Sequence, residues 1–131
     1  MNLLFPLILI LGVTLFSLLR GGGDSTVLTE IDSETGVLGI ANITDSVFLR
    51  LDDINSVEYV CALDVGTPET EEEGTVHYTS DAYGTYLLYA YGDNPDFVVI
   101  HTNEQVIAVN AKNETQTEKF YKELTVALAE Q

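Results

Sequence analysis

The sequence predicts a mainly β domain that ends in one α-helix and follows a single transmembrane helix. Three observations support this fold class. Residues 26–110 contain short apolar runs of strand length separated by turn-forming residues. Beyond residue 112 the apolar spacing changes to a helical period. No ionisable side chain precedes Arg20, as expected of a transmembrane helix. Because strands and helices do not alternate, this order also excludes the common nucleotide-binding architectures.

The first element is an apolar run that begins at Leu3 and ends at Leu19. A helix of this length spans about 25 Å, slightly less than a hydrocarbon core of about 30 Å. It predicts a membrane anchor at residues 1–20, followed by a glycine-rich linker at residues 21–25. A cleaved signal peptide is the alternative, although the basic n-region of such peptides is missing. Arg20 is the only basic residue near the run, and the positive-inside rule then predicts a single-pass protein of the cell membrane with a cytoplasmic domain.

Seven or eight strands are predicted within the domain, which we assign to residues 26–131. Each is a run of aliphatic, β-branched or aromatic residues bounded by turn formers. The runs cover residues 26–31, 35–40, 46–51, 54–63, 75–79, 85–91, 97–102 and 105–110. The run at residues 54–63 is fairly apolar on both faces, which indicates burial, so we expect a strongly bent antiparallel sheet or barrel of about seven strands.

Tyrosines are concentrated around the run at residues 85–91. Alternation puts Leu87 and Tyr89 on one face of that strand and Tyr86 and Leu88 on the other. One face fills the core, and the other either packs as well or forms an aromatic contact surface. On the second interpretation, Tyr83 and Tyr86 contact a partner.

The last element is an amphipathic helix that begins after Asn113, a residue type favoured as an N-cap. Its apolar residues recur at helical spacing and share one face. They are Phe120, Tyr121, Leu124, Ala127 and Leu128. We expect this helix to cap one open end of the sheet.

The charge of the chain restricts its partners. Residues 21–131 carry four basic and 21 acidic side chains, a net charge of −17. Binding to nucleic acid depends on basic side chains that neutralise phosphates, and anionic lipid headgroups have the same requirement. Both classes of ligand are therefore disfavoured, while the acidity itself is equally consistent with solubility in a salty environment.

The densest acidic run lies in a predicted loop at residues 66–74. It contains Glu69, Glu71, Glu72 and Glu73. We predict that these four side chains contact a basic partner. A divalent cation is the alternative, but the run lacks the spacing of ligands and the turn glycine of a calcium loop.

No pattern typical of a catalytic site is found. His77 and His101 each lie in a strand-like run, and Cys61 is predicted to be a small buried residue of a core strand. No serine, histidine and acid have the arrangement that acyl transfer requires. We therefore predict no enzyme, no metal and no cofactor, and only a titratable pair that meets across strands would reopen the question.

Five stretches carry a resemblance to a known family. They are residues 51–58, 83–87, 97–102, 106–110 and 118–124. With the order of elements, they resemble the bacterial pleckstrin-homology-like (PH-like) domain family over most of residues 26–128. The resemblance implies a PH-like sheet closed by the C-terminal helix, and a binding or assembly role at the membrane. Phosphoinositide binding is not expected, because residues 26–42 contain no Lys or Arg to hold a headgroup.

The sequence thus predicts a membrane-anchored, non-enzymatic domain that binds an unknown protein or assembles with copies of itself. The alternative is an extracytoplasmic sensor or carrier that takes a small ligand or cation between sheet and helix. The two differ in one structural feature: whether Phe97, Phe120 and Leu124 fill the volume between sheet and helix or leave it open.

Overall fold

The structure, a computed structural model, describes residues 26–72 and 74–131. Within them, the strands are β1 (Leu28–Asp32), β2 (Val37–Ala41), β3 (Ser46–Arg50), β4 (Ile54–Val60), β5 (Thr67–Pro68), β6 (His77–Ser80), β7 (Gly84–Tyr89), β8 (Phe97–Thr102) and β9 (Val106–Val109). A short 3-10 helix, Leu51–Asp53, joins β3 to β4, and the helix α1 (Glu114–Ala129) follows the last strand. The mainly β class with one C-terminal helix is therefore confirmed.

The predicted anchor and linker, residues 1–25, lie outside the described residues. In the part of the chain that the structure describes, no helix has the length and apolar character needed to cross a membrane.

The strands form two sheets rather than one. The smaller sheet has the order β1-β2-β3, and the larger has the order β4-β8-β9-β7-β6-β5. All neighbouring strands are antiparallel except β7 and β9, which run parallel. The expected single antiparallel sheet of about seven strands is wrong in two respects: there are two sheets, and one pair of strands is parallel. The parallel pair arises because the β8–β9 hairpin inserts between β4 and β7. Local alternation of residues encodes neither this insertion nor the division into two sheets.

One strand, β5, lies inside the predicted acidic loop. Thr67 and Pro68 pair with β6 at the edge of the larger sheet, the position where a strand tolerates proline. Gly66 precedes them with φ +76°, and a Cβ at this position would lie 2.1 Å from the carbonyl oxygen of Thr79. A residue without a side chain is therefore required where the chain meets β6.

The main core lies between the smaller sheet, one face of the larger sheet and α1. Leu38 and Ile40 of β2 pack there with Val98 and Ile100 of β8. The helix contributes its predicted apolar face: the buried residues Phe120, Leu124 and Ala127, and the partly buried Tyr121 and Leu128. The predicted amphipathic helix is confirmed, and so is its cap, since Asn113 Oδ1 accepts a hydrogen bond from Gln116 N at 2.9 Å.

A buried polar network joins the start of α1 to the sheet. Thr117 is fully buried, and its Oγ1 accepts hydrogen bonds from Asn94 Nδ2 and Ala111 N, both at 2.9 Å. The same hydroxyl donates to Asn113 O at 2.8 Å. Asn110, which is also buried, accepts a bond from Tyr91 N at 2.6 Å. These bonds satisfy polar groups that would otherwise be unpaired inside the protein.

A second apolar cluster covers the opposite face of the larger sheet. It contains Tyr86 and Leu88 of β7 with Phe97 and Val99 of β8, whereas Tyr89 lies in the main core. The predicted alternation of the tyrosine-rich strand is therefore confirmed. The connection after β4 covers this cluster through its partly buried residues Leu63 and Val65.

The prediction for Cys61 is wrong. The strand β4 ends at Val60, and Cys61 is exposed in the turn that follows. The next residue, Ala62, has φ +53°, a left-handed conformation that ends the strand. Ala62 N donates a hydrogen bond to the carboxylate of buried Asp96 at 3.2 Å, which holds this turn in place.

Candidate functional site

A cleft with a volume of about 370 Å³ lies beside the acidic loop. The acidic loop, the turn after β2 and the adjoining strands β6 and β7 form its walls. Its lining residues are Thr26, Asn42, Pro68, Thr70, Glu71, Glu72, Gly74, Thr75, Tyr78, Leu88 and Ala90. We call this cavity the acidic cleft. Its volume is within the range of small-ligand sites, and it opens to the surface at the first described residues of the domain.

Two loops that are distant in sequence are tied together at the rim of the acidic cleft. Asn42 Nδ2 donates a hydrogen bond to Gly74 O at 3.2 Å, and Thr44 Oγ1 donates to the same oxygen at 2.6 Å. Asn42 Oδ1 also accepts bonds from Thr44 N at 3.0 Å and Asp45 N at 2.7 Å, which shape the turn after β2. The end of the acidic loop is therefore held by side chains of the smaller sheet.

The four predicted glutamates have different positions. Glu71 and Glu72 are exposed and line the cleft. Glu69 lies along β6 instead, where its backbone N donates to His77 O at 2.9 Å and its carboxylate accepts a bond from Thr79 Oγ1 at 3.3 Å. Glu73 lies outside the described residues. Among the described residues that line the cleft, none is a lysine or an arginine.

The floor of the acidic cleft is apolar and aromatic, a feature that we did not predict. Tyr78 of β6 is half-buried, Leu88 of β7 is buried, and Pro68 of β5 lies at one side. Alternation along β6 indicates that Tyr78 faces inward, since it lies between the exposed residues His77 and Thr79. What the sequence does not give is the pairing of β5, β6 and β7 that brings these residues beneath the acidic loop.

The predicted tyrosine contacts lie outside the acidic cleft. Tyr86 has 1% of its surface exposed, and its hydroxyl donates to Val65 O at 2.6 Å. This burial raises the pKa of Tyr86 to about 12 and leaves the ring no surface for a partner. Tyr83 is half-buried, with its ring 5.6 Å from that of Tyr86 and 6.0 Å from that of His101. Only Tyr83 of this pair is accessible to a partner.

A titratable pair does meet across two strands, which the sequence analysis did not locate. His101 Nε2 of β8 lies 2.6 Å from Glu58 Oε2 of β4, with side chains 29% and 50% exposed. Ser56 is the cross-strand neighbour of His101, yet no hydrogen bond joins its hydroxyl to the imidazole. The pair thus supplies a base and a group that orients it, but no bonded nucleophile. We interpret it as a partly exposed hydrogen-bonded pair beside Tyr83.

Side chains fill the main core between the sheets and the helix, but a groove of about 280 Å³ remains between β1 and α1. Phe120 and Leu124 pack against both sheets in the main core, and Phe97 lies in the second cluster on the other face. Across residues 26–72 and 74–131, no group of three or more His, Cys, Asp or Glu side chains is placed to hold a metal ion. A ligand would therefore find room in the acidic cleft or in the groove between β1 and α1, and not within the main core.

Comparison of the chain with protein-family models, curated proteins and solved structures finds no match. The resemblance to bacterial PH-like domains accordingly stays a prediction. Any assignment of function depends on the chemistry of the acidic cleft and of the surfaces around it.

Proposed function

We propose that the chain is a membrane-anchored, non-enzymatic protein-interaction domain of bacterial PH type, and that its acidic cleft binds a basic segment of a partner protein. The observation that carries the proposal is the composition of the cleft. Carboxylates of Glu71 and Glu72 stand at the rim of a floor formed by Tyr78, Leu88 and Pro68.

Arginine and lysine match this arrangement because each combines an apolar stem with a cationic end. The stem packs on the apolar floor, while the charged group pairs with the carboxylates at the rim. A guanidinium group also stacks on an aromatic ring such as that of Tyr78, which adds about 0.5–2 kcal/mol when the contact is desolvated. The net charge of the domain favours the encounter with a basic partner, since long-range attraction raises association rates.

The location of the cleft suits a domain held at a membrane. Thr26, the first described residue, lines the cleft, and the predicted anchor ends six residues before it. A partner segment in the cleft would lie close to the chain that leaves the membrane. The predicted orientation then places the interaction on the cytoplasmic side.

The proposal is tested by removing the charges of the acidic loop in the full-length chain. The variant replaces Glu69, Glu71, Glu72 and Glu73 with Gln. A matched control replaces Glu34, Glu104, Glu123 and Glu130, four exposed glutamates outside the cleft, and changes the net charge by the same amount. Both variants and the wild-type chain are purified from membranes under native conditions, and the proteins that copurify are identified and quantified.

We expect basic partners to be lost from the loop variant and retained by the control. Equal loss from both variants would mean that net charge, and not the acidic cleft, attracts the partner. Unchanged partners in the loop variant would refute the proposal. A small cationic ligand in the same cleft would be recognised by a change in thermal stability on adding the ligand, without any copurified protein.

A further inference from the structure

We propose that the domain also pairs with a second copy of itself through the free edge of β3, by antiparallel addition of one β3 strand to the other. This surface is separate from the acidic cleft, so the two proposals can fail independently.

Hydrogen bonds at the two ends of the β2–β3 ladder define which groups of β3 point outward. Leu51 N donates to Gly36 O, and Asn42 N donates to Asp45 O, both at 2.8 Å. In an antiparallel ladder the bonded residues alternate, so Val47 and Leu49 direct their backbone groups to β2. Ser46, Phe48 and Arg50 therefore direct theirs away from the sheet. Among residues 26–72 and 74–131, these three have no backbone hydrogen-bond partner on that side.

The outward groups are spaced symmetrically about Phe48. If two β3 strands pair antiparallel with Phe48 opposite Phe48, the register places Ser46 of each strand opposite Arg50 of the other. All three outward N–H groups of each strand then meet carbonyl groups, which gives six hydrogen bonds at the junction. The two smaller sheets become one six-stranded sheet.

The side chains of β3 suit this register. Phe48 is half-buried on the outer face of the smaller sheet, where its cross-strand partner is Gly39. Pairing brings two phenyl rings together on that face, a contact that stabilises cross-strand pairs. Arg50 now makes only a loose ion pair with Asp52 at 3.7 Å, and in the pair it lies opposite Ser46 of the second copy. The only basic side chain between residues 26 and 110 would thus be at the junction of two acidic domains.

The other free edge of the smaller sheet lacks this complementarity. β2 directs residues 37, 39 and 41 to β1, so Thr29 and Ile31 direct their backbone groups outward. Pairing of two β1 strands about their centre places Glu30 opposite Glu30, and like charges in that position are destabilising. Charged residues of this kind commonly protect edge strands from association. Beside β3, by contrast, lies a groove of about 270 Å³ between the strand and the β8–β9 turn.

Site-specific cross-linking tests the register in the full-length chain in membranes or detergent micelles. Cys61 is first replaced with Ser, because it is exposed and would cross-link on its own. Single cysteines are then introduced as Phe48→Cys, Ser46→Cys and Arg50→Cys, with Glu30→Cys as the control at the β1 edge. Each protein is oxidised at several concentrations, and the covalent dimer is measured on a denaturing gel.

We expect the Phe48→Cys chain to dimerise at least ten times faster than the other three. Directly bonded residues of an antiparallel pair are about 5.5 Å apart between Cα atoms, which suits a disulfide. Two Ser46→Cys residues would be about 13 Å apart in this register and would not react, and the same holds for Arg50→Cys. A mixture of Ser46→Cys and Arg50→Cys chains should form the covalent dimer, because the register places these two positions opposite each other. Both chains retain Phe48, so loss of the phenyl ring could not explain an absence of dimer.

Either of two results would overturn the proposal. One is equal cross-linking of Glu30→Cys and Phe48→Cys, which would indicate collision without a defined register. The other is a mixture of Ser46→Cys and Arg50→Cys that reacts no faster than each variant does by itself. Binding of a basic partner at the acidic cleft is measured on the same proteins, and it should not change in any of them.

Discussion

Replacement of Thr117 by Val should destabilise the domain far more than the same replacement at Thr125 of the same helix. Thr117 Oγ1 is fully buried and takes part in three hydrogen bonds, to Asn94, Ala111 and Asn113. Valine has nearly the same shape but no hydroxyl, so two donors, Asn94 Nδ2 and Ala111 N, lose this acceptor inside the protein. Thr125 is exposed, and its Oγ1 makes one bond, to Tyr121 O at 2.6 Å.

The magnitude follows from the number of donors left unpaired. Each buried donor without a partner costs about 1–3 kcal/mol. Asn94 Nδ2 keeps a second acceptor, Ala111 O, at 3.2 Å, which reduces the loss at that group. We therefore expect the Thr117→Val variant to lose about 2–4 kcal/mol of unfolding free energy. For Thr125→Val, at an exposed site, we expect a change within about 0.5 kcal/mol.

Urea unfolding of the full-length chain in detergent micelles measures both effects, with tyrosine fluorescence as the signal. With an m-value of about 1.5 kcal/mol per M, a loss of 3 kcal/mol lowers the midpoint by about 2 M. Equal midpoints for the two variants would refute the reasoning, because they would mean that the network around Thr117 does not stabilise the junction of helix and sheet.

Three further predictions concern the backbone, the alkaline limit of stability and the orientation in the membrane. Gly66→Ala should lower the free energy of unfolding more than Gly84→Ala does in the same urea assay. Both glycines have positive φ, but only at Gly66 would a Cβ clash with a carbonyl oxygen, at 2.1 Å. Burial raises the pKa of both Tyr59 and Tyr86 to about 12, and Tyr59 also bonds to Asp96. Since both hydroxyls must stay protonated in the folded state, their contribution to stability is complete below about pH 10 and is lost as the pH rises through 12. Phenolate absorbance and near-ultraviolet dichroism should therefore change together above pH 10, and full titration near pH 10 with the dichroism retained would contradict this. Cys61 is exposed, so a membrane-impermeant thiol reagent should label it only after lysis if the domain is cytoplasmic, and labelling of intact cells would reverse the predicted orientation.

Local features of the fold follow directly from the sequence. The asparagine cap of α1, its apolar face and the alternation of β7 depend on residues within one element, and each is confirmed. The turn between β8 and β9 is local as well, since Thr102 N donates to Gln105 O across it at 3.0 Å. In each case neighbouring residues determine the geometry.

Long-range features do not follow from the sequence in the same way. The parallel pairing of β7 with β9 and the division into two sheets depend on which distant strands meet. The same holds for the cross-strand pair of Glu58 and His101, whose residues are 43 positions apart. Cys61 is predicted in a strand but lies in the turn after β4, because its apolar neighbours do not indicate that Ala62 adopts a left-handed conformation.

The candidate site was predicted in part. Charge density alone indicated the acidic loop, and Glu71 and Glu72 do line a cleft. The aromatic floor at Tyr78 and the bonds of Asn42 and Thr44 to Gly74 depend on the assembled sheets and carried no motif. These two features distinguish the acidic cleft from an ordinary solvated loop, and they are the basis of the proposed function.

Photo-cross-linking in living cells tests the central claim most directly. A photoreactive amino acid is placed at Thr70, which lines the acidic cleft, and in a matched chain at Glu34, which is exposed in the turn between β1 and β2. We predict a discrete protein adduct from position 70, absent from position 34, whose cross-linked peptide is rich in lysine or arginine. Adducts from both positions in equal amount, or adducts at position 70 to segments without basic residues, would contradict the account.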